Sequence, residues 1–124
     1  MLGGGFSFAH CGSRVTSQAL LVLTTCASNA EAERLAAELV ERRLAACVNT
    51  VSQVASTYRW QGKIERAEES LLVIKTTQER FAAVQTVIRT RSGYELPEVL
   101  AVPVTAGSSE YLQWLGAAVA DPKE

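Results

Sequence analysis

One histidine, His10, is all the imidazole the 124 residues contain, and it lies close to the N-terminus. Its scarcity removes most routes to chemistry. Without imidazole elsewhere, the rest of the chain cannot assemble a Ser-His or Cys-His nucleophile, and it has no nitrogen ligand of that kind for a metal. Cysteine is also sparse. Cys11, Cys26 and Cys47 are odd in number and include no C-x-x-C pair. This argues against a disulfide framework or a closed zinc site and for a reducing compartment, the cytoplasm. Charge of one sign is not in excess either: 12 Lys+Arg against 13 Asp+Glu leave a net charge of -1. Such a balance gives no electrostatic drive toward nucleic-acid phosphates or toward an anionic membrane surface. No apolar run approaches the ~20 residues of a bilayer span. The N-terminal stretch MLGGGFSFAHCGSRVTSQ lacks the basic start of a signal peptide, and glycines and serines interrupt its apolar part. Residues 1–17 therefore read as a flexible tail, 18–120 as a single domain and 121–124 as a short C-terminal tail. The chain has no G-x-G-x-x-G, P-loop, H-E-x-x-H or G-x-S-x-G motif.

What remains is a well-punctuated α+β pattern. Ala19 to Thr25, ALLVLTT, is a near-continuous apolar run, which predicts a central strand covered on both faces. Ser28 and Glu31 have the spacing of a capping box, and the helix they open places Ala32, Leu35, Ala36, Leu39 and Val40 on one stripe. The β-branched and aromatic run from Ala45 to Trp60, then Gln61-Gly62, then Lys63 to Thr77, predicts a long hairpin with a two-residue turn. Its outer end is only partly apolar and would overhang a small sheet, leaving surface for a partner subunit. Thr76 and Glu79 offer a second capping box, Phe81, Val84, Val87 and Ile88 the inner stripe of a second helix, and Gly93 the residue that ends it. Val99 to Val104 is a strand that Pro103 confines to an edge or a strand end. Ser108 or Ser109 caps a last helix bearing Tyr111, Leu112, Trp114 and Leu115. The order β-α-β-β-α-β plus one helix is the ferredoxin-like arrangement. Cys47, in LAACV, reads as a small buried hydrophobe.

Two places carry residues suited to function. In SGYELPE, residues 92–98, an aromatic ring and two carboxylates precede a buried strand. An extended backbone would turn Glu95 and Glu98 to opposite sides, so they make a poor acid/base pair, and would put Tyr94, Leu96 and Glu98 together. At the hairpin tip Tyr58 and Trp60 share a face, opposite Glu65 and Lys63. Cross-strand packing with Lys63 over Trp60 and the wall of an interface or ligand cleft both fit that pair. Lys75, at the polar end of LLVIK, has the same two readings. The fold order is shared with RNA-binding domains, but no central strand carries their aromatic signature.

The segments ERRLAACVN, YRWQGKIE, SLLVIKTT, YELPEVLAVPV and YLQWL, in this order over residues 20–115, resemble the CutA divalent-cation tolerance family. The resemblance implies a non-enzymatic ferredoxin-like subunit in a homotrimer similar in architecture to PII signalling proteins, with hairpins crossing between subunits. It implies inter-subunit clefts lined by Trp60, Lys75, Tyr94, Glu98 and Trp114. It also implies a role in metal-ion response, with a divalent cation such as copper as the possible bound ion and an unidentified protein as a possible partner. The ligands associated with copper in bacterial members are a cysteine ending the first strand and a His-His pair before Pro-Tyr. The present sequence has Thr24 in place of the cysteine, Arg91 and Ser92 in place of the histidines and Gly93 in place of the proline. Of the side chains left, Cys26 and Glu98 are the expected metal ligands, and soft Cu(I) would depend on the Cys26 thiol.

Overall fold

The computed structural model describes residues 17–121, so the proposed tail over residues 1–16 and the end of the C-terminal tail lie outside the described residues. The elements run β1 (Ala19–Cys26), α1 (Asn29–Glu41), β2 (Cys47–Trp60), β3 (Lys63–Thr77), a 3-10 turn over Gln78–Arg80, α2 (Phe81–Arg91), β4 (Leu100–Pro103) and α3 (Ser109–Ala118). The four strands form one antiparallel sheet in the order β2-β3-β1-β4. That is the ferredoxin-like order with an added C-terminal helix and an extended hairpin. Pro103 sits on β4, an edge strand, opposite Leu20, where its missing N–H costs no outward ladder bond.

Strand alternation divides the sheet into two unlike faces. On β1 the residues Leu20, Val22, Thr24 and Cys26 are buried, while Leu21, Leu23 and Thr25 are half-exposed. β3 repeats the pattern, with Leu72 and Ile74 fully buried and Leu71 and Val73 half-exposed between them. Helices α1 and α2 cover the first face. Ala32, Leu35 and Leu39 of α1 and Val84, Val87 and Ile88 of α2 close the core over it with Leu44 and Ala45. Val40 falls outside the stripe and is 44% exposed. Among the described residues the other face has no such cover. Leu21 pairs with Val102 and Leu23 with Leu100 across β1 and β4, and Val51 pairs with Leu71 across β2 and β3. Leu100, Val102 and Val51 are all exposed. The expectation that β1 is covered on both faces therefore fails within one chain. Among the described residues only α3 approaches the second face, at one end, where Lys75 Nζ lies 5.7 Å above the Tyr111 ring and Leu115 and Val119 are buried. Arg80 Nε ties this helix down by donating to the Val119 carbonyl at 2.6 Å.

Local signals behaved unequally. Ser28 Oγ accepts the Glu31 N–H at 3.2 Å and Ser108 Oγ accepts the Tyr111 N–H at 3.4 Å, so both serines cap as expected. The second capping box does not form. Thr76 is fully buried, and its hydroxyl donates to the Leu44 carbonyl at 2.6 Å, which an interior carbonyl needs more than a helix end needs a cap. Chain direction changes through the 3-10 turn instead, and α2 starts at Phe81. Gly93 does not end α2 with a left-handed residue; Ser92 ends it with an extended backbone. Cys47, expected to be buried, lies on the uncovered face opposite Lys75 and is only half-buried, whereas Cys26 is buried.

Leu72 has no exposed surface and sits between both helices and the sheet. Leu72→Ala is expected to cost about 2–5 kcal/mol through lost transfer energy and a residual cavity. The melting temperature should fall clearly, and an unchanged value would place Leu72 outside the core.

Candidate functional site

The hairpin tip is set by its turn. Gln61 and Gly62 both have positive φ, 52° and 83°, the geometry of a tight two-residue connection whose twist matches the strands. The register follows, with Trp60 opposite Lys63 and Tyr58 opposite Glu65. Further down, a bulge between Val51 and Val54, with Gln53 at φ 59°, shifts the pairing so that Val54 faces Glu69. Bulges sharpen strand twist.

The segment after α2 meets this hairpin. Residues 94–96 bend rather than run extended, so the expected alternation breaks down and Tyr94, Glu95, Leu96 and Glu98 all line one cleft. Its volume is about 680 Å³, and Tyr58, Arg59, Trp60 and Glu69 complete the walls on the hairpin side. The fastening contact is long-range: the Tyr94 hydroxyl donates to Glu69 Oε2 at 2.6 Å. Burial, then that bond and the nearby charges of Glu69 and Glu31, raise the Tyr94 pKa well above its ordinary value, so the ring stays a neutral donor. Gly93 passes Glu31, whose Oε2 a Cβ at that position would meet in ordinary contact at 3.4 Å.

A second, smaller cavity of about 240 Å³ lies on the helix side, lined by Cys26, Glu31, Arg34, Glu38, Arg91 and neighbours. Glu38 accepts two bonds from Arg91, at 2.9 and 3.2 Å, and one from Arg42 at 2.9 Å. The Arg91 bond first, then that of Arg42, holds its carboxyl below the usual range. Arg91 is the last residue of α2, so this pair anchors the start of the cleft-forming segment. Cys26 is buried, and burial, followed by the charges of Glu31 and Glu69, pushes its thiol up to about 11. The thiol is therefore protonated at neutral pH and a poor ligand.

Of the residues singled out in the sequence, Trp60, Tyr94 and Glu98 come together, and Tyr58 with them. Lys75 and Trp114 lie elsewhere in the same subunit: Lys75 is over Tyr111, and Tyr111 and Trp114 stack at 5.3 Å. The expected cation–π contact of Lys63 on Trp60 is not made, since Lys75 over Tyr111 is the one such contact among the described residues. Nor does Glu98 accept the Tyr94 hydroxyl; Glu69 does. Cys26 lines the smaller cavity and Glu98 the cleft. Among the described residues no three His, Cys, Asp or Glu side chains converge as a metal-ligand set, so a copper ion held by one subunit does not fit these residues. Sequence reasoning missed Glu69, whose one signal is that Glu68-Glu69 interrupts the apolar alternation of β3 just before Leu71.

Residues 20–118 match the family described as CutA1 divalent ion tolerance protein. The chain is 43% identical over 95 residues to the divalent-cation tolerance protein CutA of Thermus thermophilus, covering 77% of this chain and 92% of that one. It is 38% identical to the chloroplastic protein CutA of Arabidopsis thaliana, covering 83% of this chain but only 57% of that longer protein. The crystal structure of CutA from Xylella fastidiosa superimposes with a TM-score of 0.81 at 41% identity, over 84% of this chain and all of that one.

The raised thiol pKa has a definite sign in stability. Between pH 9.0, where a free thiol ionises, and about 11, the unfolded chain has released a proton that native Cys26 still holds. Stability contributed by Cys26 is thus full below pH 9 and is lost as pH rises through that interval. The melting temperature should fall over this range, and Cys26→Ser should flatten the fall. Iodoacetamide at pH 8 should label Cys26 far more slowly in the native protein than after unfolding. Equal rates would mean an accessible thiol.

Proposed function

The chain belongs to the CutA1 divalent ion tolerance family, and on that premise we propose that it acts in divalent-cation tolerance as a cytoplasmic, non-catalytic homotrimer. In this reading the domain of residues 18–120 binds a cation or small ligand weakly in clefts between subunits. The observation that carries it is the uncovered sheet face. Leu21, Leu23, Leu71, Val73, Leu100 and Val102 form an apolar surface across the sheet, and such a surface marks an interface. By strand alternation Lys63, Glu65 and Glu69 continue the same face of β3 outward to the tip. The cleft wall is thus an extension of the proposed interface. Lys75 and Trp114, at the far end of that face, would complete a cleft belonging to a neighbouring copy. Absence of imidazole among residues 17–121 supports a non-catalytic role.

For metal, the cleft offers carboxylate and hydroxyl oxygens, which suit hard cations better than copper. Glu98, half-buried in the cleft wall and without a bonded partner among the described residues, is its carboxylate ligand in our reading, while the buried Cys26 thiol is the weaker candidate. A PII-like or scaffold role through docking of another protein is favoured by one feature, the Leu96 side chain on the cleft rim, which is 72% exposed.

Val73→Lys tests the assembly. It puts a charge on the uncovered face and leaves the helix-covered core alone. The variant should keep its secondary structure but run as a monomer in sedimentation velocity, with any cleft ligand bound far more weakly. A variant that still assembles normally would remove this face from the interface.

A further inference from the structure

The cleft has more aromatic surface than its own packing uses. Tyr58, Trp60 and Tyr94 all line it, yet among the described residues only Tyr111 and Trp114 stack on one another, and only Tyr111 has a cation above it. Three carboxylates, Glu69, Glu95 and Glu98, share the cleft with one guanidinium, Arg59. Glu69 is committed to the Tyr94 hydroxyl, and no partner is formed by Glu95 or Glu98 among the hydrogen bonds and ion pairs of the described residues. Of the lysines on the same face of β3, Lys63 pairs across from Trp60 without standing over its ring, and Lys75 is already placed over Tyr111.

Ring faces combined with spare carboxylates discriminate between kinds of cation. A small divalent metal ion needs several oxygens converging at about 2.0–2.6 Å, and the described acidic residues do not converge in that way. An organic ammonium ion has its charge spread over a larger, weakly hydrated surface. It is held by aromatic faces within about 6 Å and by diffuse negative charge, without a rigid ligand shell. The volume of about 680 Å³ is in the range of small-molecule sites and leaves room for substituents beyond the ammonium group.

We propose that the cleft between the hairpin tip and residues 93–98 binds a small organic ammonium cation, with Trp60, Tyr58 and Tyr94 supplying ring faces and Glu98 the counter-charge. This deepens the reading of the cleft as the ligand site and rests on it. Binding should be driven by charge as well as shape, so a neutral molecule of the same form should bind much more weakly.

The test is calorimetric titration of the full chain with choline and with its uncharged isostere 3,3-dimethylbutanol, in buffer of constant ionic strength. Choline should bind, and the isostere should be weaker by about tenfold, the scale of a desolvated cation–π contact. Glu98→Gln, a change at a half-buried position with no bonded partner, should weaken choline by about fivefold to tenfold. Trp60→Leu should weaken it as much, and circular dichroism establishes that each variant is folded. Equal affinity for choline and the isostere, or choline affinity untouched by both variants, would overturn the proposal. Zinc or magnesium is titrated in parallel. Metal binding that Glu98→Gln abolishes, with no choline binding, would sink the ammonium proposal and leave the cleft as a ligand site. No Glu98-dependent binding of either kind would remove the cleft reading altogether.

Discussion

A four-stranded sheet has two faces, and the described residues of this chain carry helices enough to cover one. α1 and α2 sit over Leu20, Val22, Leu72 and Ile74, while Leu21, Leu23, Leu71 and Val73 alternate onto the opposite side with only the end of α3 nearby. The two faces are written into alternate positions of the same strands, so the apolar residues of the second face are not a by-product of the core. Apolar area left in water costs roughly 25 cal/mol per Å², so covering this face is the largest stabilisation still open to the folded subunit. The hairpin extends that same face beyond β1, and the proposed cleft lies along the extension.

Two long-range contacts fix the other wall. Glu38 grips Arg91 at the end of α2, and Glu69 on β3 takes the Tyr94 hydroxyl three residues later. Between them Ser92 and Gly93 pass close to Glu31. The segment has no hydrogen-bonded strand or helix of its own over residues 92–99, so its shape depends on carboxylates from α1 and β3. The exposed pair Glu38–Arg91 contributes little stability by itself. Its value is in direction, since it aims the chain at the hairpin.

This division also explains what could be read from the sequence. The outer hairpin register was legible because Gln61-Gly62 leaves only one two-residue turn, and a turn of fixed length sets every pair from Trp60–Lys63 down to the bulge at Val54. The two serine caps were legible because a capping bond is local. Thr76 was misread because its real partner, the Leu44 carbonyl, is 32 residues away. Cys47 was misread as buried because it sits on the face its strand parity dictates, and composition around a cysteine says nothing about parity. Tyr94 and Glu98 were placed near Trp60 only through family resemblance. Glu69, which holds Tyr94, left no local trace, since it is one of several charged residues in the outer half of β3.

The central claim is that the uncovered sheet face is buried against copies of the same chain. Multi-angle light scattering of the unaltered protein at micromolar concentration tests it most directly. The account predicts one species at three times the 13.4 kDa chain mass, constant on dilution. A species at the mass of one chain would contradict it.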